Sequence, residues 1–210
     1  SHQLRTPLTG MKLRLDSATA DAPEEPVASE LRAVELEVDR LAVIVDRLLM
    51  LAREVEEGRE THVDVGDAAR RAVARWRERA TAAGATLSAS GDPGVALADP
   101  DDLDQVLDVV IDNAIAYAPG PIEIVARDEG TRVLVAVQDQ GEGIAEGDLH
   151  RVTDRFYRGR SATPGGSGLG LAIAKELAER WGGSISVTSP PGSGTRVDVR
   201  LRTVDPFTGP

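Results

Sequence analysis

Over the first 57 residues, apolar positions recur in alternating steps of three and four. Leu4, Leu8, Met11 and Leu15 make one stripe; Leu31, Val34, Val38, Leu41, Val45, Leu48, Ala52 and Val55 make a second. So narrow a seam predicts two helices that pack as a bundle or coiled coil. Between them, Ala22-Pro23-Glu24-Glu25-Pro26 cannot continue a helix and reads as a turn. Ser29 offers an N-cap for the second helix. Two such helices bury too little to stand alone. A four-helix bundle made by two chains completes them, with packing on the chain's own second module as the alternative.

After Gly58 the heptads stop. Thr61–Val65 reads as a short strand, and Asp67 to Ala83 as a helix capped by Asp67. Thr86–Ala89 and Val95–Ala98 read as strands around an Asp92-Pro93 turn. Pro100 starts a helix through about Tyr117, with Leu103, Val106, Leu107, Val110, Ile111 and Ala114 on its buried face. Ile122–Arg127 and Val133–Gln138 form a hairpin about Glu129-Gly130. A helix from Leu169 to Trp181 ends at Gly182-Gly183, and Ser184–Thr188 with Arg196–Leu201 make a last hairpin. The expected fold is a helical hairpin forming a dimeric four-helix bundle, followed by an α+β sandwich. That sandwich has a mixed, mainly antiparallel sheet with helices on one face. The expected divisions are a hairpin over 1–57, a linker over 58–62, a second domain over 63–204 and a tail over 205–210.

Composition narrows the classes. A formal charge of −11 argues against nucleic acid as a partner, because a phosphate backbone is repelled. No apolar run is long enough to span a bilayer. With no cysteine there is no disulfide or thiolate metal site, and His2, His62 and His150 lack zinc-ligand spacing. An opening Ser1-His2 without Met reads as a fragment of a longer chain.

Four places carry chemistry. At about 100° per residue, His2 and Thr6 lie opposite the Leu4/Leu8 stripe, so the imidazole faces solvent. Pro7 bends that helix and frees the carbonyl of Gln3. A plain surface histidine beside a kink is the alternative. Asn113 sits off the apolar face of its helix, where its amide oxygen can serve Mg²⁺ or simply face water. Asp139, at a strand end before Gly141 and Gly143, can accept a hydrogen bond from a base amino group, or be a solvated turn residue. Finally, Gly165-Gly166-Ser167-Gly168-Leu169-Gly170 leads into a helix whose amides suit phosphate, and Arg158–Thr163 before it reads as a lid. The run is neither a P-loop nor a dinucleotide fingerprint.

In this order the segments resemble the catalytic core of bacterial sensor histidine kinases, from Ser1 to about Arg202. Ser1–Leu8 is similar to the family's H-box, Leu103–Pro119 to the N-box, and Asp139–Ile144 to the first glycine box. Arg155–Arg158 is similar to the F-box, Gly166–Leu171 to the second glycine box, and Gly192–Thr195 to the last. The resemblance implies ATP and Mg²⁺ as cofactors, His2 as phosphoacceptor, Asn113 on the metal and Asp139 on adenine. It implies that Tyr117 packs near the base and Arg158 reaches the phosphates. Gly141, Gly143, Gly166, Gly168, Leu169 and Gly170 would shape the pocket and lid. It further implies a homodimer through the hairpin and a response regulator receiver domain as partner. Thr6 would orient water for dephosphorylation of that regulator. Sensor and membrane segments are expected upstream, with this region facing the cytoplasm. Three positions depart from the pattern. Gln3 stands where an acid is usual and cannot act as a base at neutral pH, Val109 has no ligand atom, and Ala116 lacks a cation.

Overall fold

The protein is described by a computed structural model covering residues 60–92, 94–159, 168–190 and 192–203, together with Val34. The chain forms two compact units, Ser1–Gly58 and Arg59–Pro210. In the first, Val34 is helical and exposed; the rest of the expected hairpin lies outside the described residues.

The second unit runs β1 (Thr61–Asp64), α1 (Val65–Ala82), β2 (Thr86–Asp92), β3 (Val95–Ala98), α2 (Pro100–Tyr117), β4 (Pro121–Asp128), β5 (Arg132–Gln138), α3 (Glu146–Leu149), α4 (Gly170–Arg180), β6 (Ser184–Thr188) and β7 (Arg196–Arg202). Five strands make one sheet in the order β2-β4-β5-β7-β6. Only β2 and β4 run parallel; the other neighbours are antiparallel. The expected α+β sandwich with a mixed, mainly antiparallel sheet is what this unit forms.

One face of the sheet meets the helices. Ile122, Ile124, Val133, Val135, Val137, Val199 and Leu201 pack there against Leu103, Val106, Leu107, Val110 and Ile111 of α2. α1 contributes mostly alanines, Ala68, Ala69, Ala72 and Ala80, so its backbone can lie close. β5 is buried from Val133 to Val137 on both faces. On the face away from the helices, Leu134 lies across from Arg127 and Arg200, and Ala136 from Asp198. The Arg200 stem covers Leu134 while its head pairs with Glu129 and Asp198.

Three local expectations are corrected. Asp64, not Asp67, caps α1: its carboxylate accepts the Asp67 N–H at 2.8 Å. Val65 therefore opens the helix instead of closing the strand, and it is fully buried. β2 extends to Asp92, beyond the expected end at Ala89, and its neighbour is not β3. β3 pairs instead with β1 in a separate two-stranded sheet, while β2 takes β4 as its parallel neighbour across the α2 crossover. The short helix α3 carries too few apolar residues for any periodicity to announce it.

Polar ties between the helices differ greatly in worth. Arg71, Arg75 and Arg79 of α1 pair with Asp104, Asp108 and Asp112 of α2 at 2.6–3.5 Å. These partners are substantially exposed, so each pair contributes only about 0.2–1 kcal/mol. Asp102 is different. It is 5% exposed and bonds the Trp181 indole N–H at 2.9 Å and Arg180 at 3.1 Å, tying the start of α2 to the end of α4. Removing it leaves a partly buried guanidinium and a buried indole N–H without their acceptor. We expect Asp102→Ala to cost about 3 kcal/mol in urea unfolding, and Arg79→Ala less than about 1 kcal/mol.

Candidate functional site

A cavity of about 380 Å³ opens between the C-terminal half of α2, the segment after β5, and the start of α4. Each wall follows from the elements that build it. On α2, Val109, Asn113 and Tyr117 are spaced by four and share one side, away from the core positions Val106, Val110 and Ile111. Asn113 is half-buried in the wall and Tyr117 is exposed at the rim. Gly170, opposite, leaves room: a Cβ there would stand 3.1 Å from Val109 Cγ1 and 3.8 Å from Asn113 Nδ2.

The floor is the loop that follows β5. Asp139 is 6% exposed. Its Oδ1 accepts the N–H groups of Gly141 and Thr195, both at 2.9 Å, and its own N–H donates to the Thr195 carbonyl at 2.9 Å. Among the described residues both carboxylate bonds fall on Oδ1, which leaves Oδ2 for a ligand donor. Gly141 is glycine because a Cβ would come within 2.9 Å of the Tyr117 carbonyl and 2.8 Å of the Ala118 methyl. The close contact is with the protein's own backbone and the Ala118 methyl. Gly194 is tighter still: at φ +74° its Cβ would lie 2.1 Å from the Asp139 carbonyl.

The third wall is made by α3 and the stretch after it. Tyr157 donates its hydroxyl to Asp148 at 2.6 Å, and the Arg151 guanidinium stacks 4.2 Å from the centre of the Tyr157 ring. Asp148, Tyr157 and Arg158 all line the cavity. Arg155 pairs with Glu176 of α4, and the Phe156 N–H bonds the Gly168 carbonyl at 2.8 Å, so Gly168 is held beside this stretch. The cavity is thus acidic at Asp112, Asp139, Glu142 and Asp148, with Arg158 the cation lining it among the described residues.

Residues 98–205 match the family of histidine kinase-, DNA gyrase B- and HSP90-like ATPases, and residues 1–57 match the His Kinase A (phospho-acceptor) domain. The chain belongs to the sensor histidine kinases. It is 36% identical over 213 residues to the sensor-like histidine kinase SenX3 of Mycobacterium tuberculosis, covering 96% of this chain and 52% of that one. To the sensor histidine kinase YkoH of Bacillus subtilis it is 32% identical over 208 residues, covering 96% and 46%. The chain therefore spans about half the length of these relatives. Among solved structures, the mycobacterial sensor histidine kinase MprB matches with a TM-score of 0.61 at 28% identity, over 68% of this chain and 98% of that one. Full-length ShkA in complex with AMPPNP matches with a TM-score of 0.65 at 26% identity, over 97% and 45%.

In this kinase core the cavity gathers Asn113, Tyr117, Asp139, Gly141, Gly143, Arg158, Gly168 and Gly170. Leu169 is buried but does not line the cavity; Leu171 does. His2, Gln3, Thr6 and Gly166 lie outside the described residues. Sequence reasoning missed Ser189, whose hydroxyl lies 2.7 Å from both the Ile144 N–H nitrogen and the Gly194 carbonyl oxygen. A serine beside a proline at a strand end is commonplace, so nothing local marked it. Also missed were Asp148 and Val152 in the α3 wall. We expect Gly194→Ala to cost about 2–4 kcal/mol and to collapse the floor, while Gly147→Ala, with open space around its Cβ, stays within about 0.5 kcal/mol. Thermal unfolding of the two variants checks this.

Proposed function

We propose that this chain is an ATP-dependent protein-histidine kinase core that phosphorylates His2 and passes the phosphoryl group to an aspartate of a response regulator. The observation that carries the reading is Asp139, a buried carboxylate with one oxygen held by two backbone amides and the other left for the exocyclic amino group of adenine. The apolar side chains of Ile144, Val137 and Val187 border the same cavity and suit a flat base. Tyr117 at the rim packs near it, and Arg158 meets the phosphates.

Mg²⁺ suits the donor set: Asn113 offers an amide oxygen, a hard ligand, beside the space that Gly170 leaves open. When bound, the ion supplies neutralisation of phosphate charge. In the reaction a nitrogen of the His2 imidazole attacks the γ-phosphorus. A P–N bond forms, the bond to the β,γ-bridging oxygen breaks, and ADP leaves with the electron pair. The Gln3 amide is able to hydrogen-bond an imidazole but cannot take its proton, so that proton passes to solvent. The chain's task is chiefly positioning and charge balance. Thr6, one turn beyond His2, orients water for hydrolysis of the regulator's acyl phosphate.

The hairpin over 1–57 forms the homodimer and receives the receiver domain, and the unit whose first strand opens at Thr61 holds the nucleotide. No helix among the described residues is long and apolar enough to cross a membrane. We assign this core to the cytoplasmic side of a protein anchored through segments upstream of it. Val109 favours one second reading, a nucleotide- and regulator-binding module with little kinase activity, since it puts an apolar group in the cavity one turn before Asn113.

Incubation with γ-labelled ATP and Mg²⁺ separates the readings. We expect acid-labile, base-stable label on the wild-type chain and none on His2→Ala. We expect Asp139→Asn to weaken ATP binding by at least about tenfold. ATP binding without any label on the wild-type chain would select the second reading, and Gln3→Glu would then be expected to restore labelling.

A further inference from the structure

Three polar side chains are buried among the described residues, Asp102, Asp139 and Ser189. Asp102 ties helices together; the other two meet beneath the cavity. Ser189 follows β6, and its Oγ sits 2.7 Å from the Ile144 nitrogen and 2.7 Å from the Gly194 oxygen. The direction of these bonds is forced. A backbone N–H can only donate and a carbonyl can only accept, so Ser189 accepts from Ile144 and donates to Gly194.

The Gly194 carbonyl and the Thr195 N–H are the two ends of one peptide group. That N–H donates to Asp139 Oδ1 at 2.9 Å. The bonds therefore run head to tail, from the Ile144 N–H through the Ser189 hydroxyl and the Gly194–Thr195 peptide to the Asp139 carboxylate. Bonds chained in one sense polarise one another, so the serine hydroxyl strengthens the Thr195 N–H as a donor to Asp139. It also fixes the plane of that peptide. Turning the Asp139 carboxylate would break the bonds from Thr195 and Gly141 together.

We propose that Ser189 is a positioning residue that sets the base selectivity of the cavity. It does so by fixing which carboxylate oxygen Asp139 presents. This rests on the nucleotide reading above. A 6-amino purine donates to the presented oxygen, whereas a 6-oxo purine sets a carbonyl oxygen against it, acceptor facing acceptor. Without the serine hydroxyl the peptide loses its anchor, the carboxylate gains freedom to turn, and the contrast between the two bases shrinks. Contacts to ring faces and phosphates do not depend on that orientation.

The test is calorimetric binding of ATP and ITP, each with Mg²⁺, to the full chain and to Ser189→Ala. We expect the ratio of the ITP to the ATP dissociation constant to fall by about tenfold in the variant, mainly through weaker ATP binding. Equal weakening of both nucleotides, with the ratio kept, would reduce Ser189 to a structural role and overturn the proposal; so would unchanged binding of both. Should the alanine variant not fold, Ser189→Cys keeps the shape with a much weaker donor, and the same ratio decides. A wild-type chain that binds neither nucleotide would overturn the nucleotide reading itself, an outcome distinct from an unchanged ratio.

Discussion

The site depends on one close approach, between the strand end at Asp139 and the turn at Gly194–Thr195. β5 and β7 are neighbours along their whole length, with Gln138 opposite Arg196. Their next residues would ordinarily diverge. Here they stay in contact, because the Asp139 N–H donates to the Thr195 carbonyl and the Thr195 N–H donates to the Asp139 carboxylate. With no side chain at residue 194, two backbones meet at a distance that any Cβ would forbid. The loop carrying Gly141 and Gly143 is thereby anchored to the sheet, and the cavity floor inherits the rigidity of a central strand.

Such anchoring explains why an acidic cavity can still be a site for a polyanion. Asp139 has one oxygen already engaged by two backbone amides, so its charge is partly spread over those donors. Asp148 is engaged by the Tyr157 hydroxyl and Asp112 by Arg79. These three carboxylates are thus occupied in shaping the walls, and Arg158 lines the same cavity as a positive charge.

Much of this was legible in the sequence where a single period governed a whole element. The α2 pattern from Leu103 to Ala114 is unambiguous because Asp99 and Pro100 fix its start and every apolar residue but Val109 is buried. The β4–β5 hairpin is equally plain, since Ile122, Ile124 and Ala126 alternate up to a glycine turn. Boundaries failed where two patterns overlapped. Val63 and Val65 alternate like a strand, yet Asp64 between them is a cap, and only the Asp64–Asp67 bond reveals it. The pairing of β2 was not legible for another reason: partner choice is made by the whole sheet, not by nearness in sequence. Within the site, side chains that would touch a ligand were visible as motifs. Those that hold such side chains, Ser189 above all, were not, because partners such as Ile144 lie in loops remote in sequence.

The ladder between α1 and α2 carries a consequence for how those helices find their alignment. Arginines at 71, 75 and 79 face aspartates at 104, 108 and 112, each set repeating every four residues. Rungs that repeat once per turn are nearly degenerate: sliding one helix by a turn, about 5.4 Å, would re-form all but one of them. Charge alone brings the two helices together without telling one turn from the next. Trp76 breaks the tie. Its indole N–H bonds Asp108 at 2.6 Å, and α1 holds no second tryptophan to repeat that contact a turn away. The ladder gives these helices attraction, and one aromatic residue gives them an address.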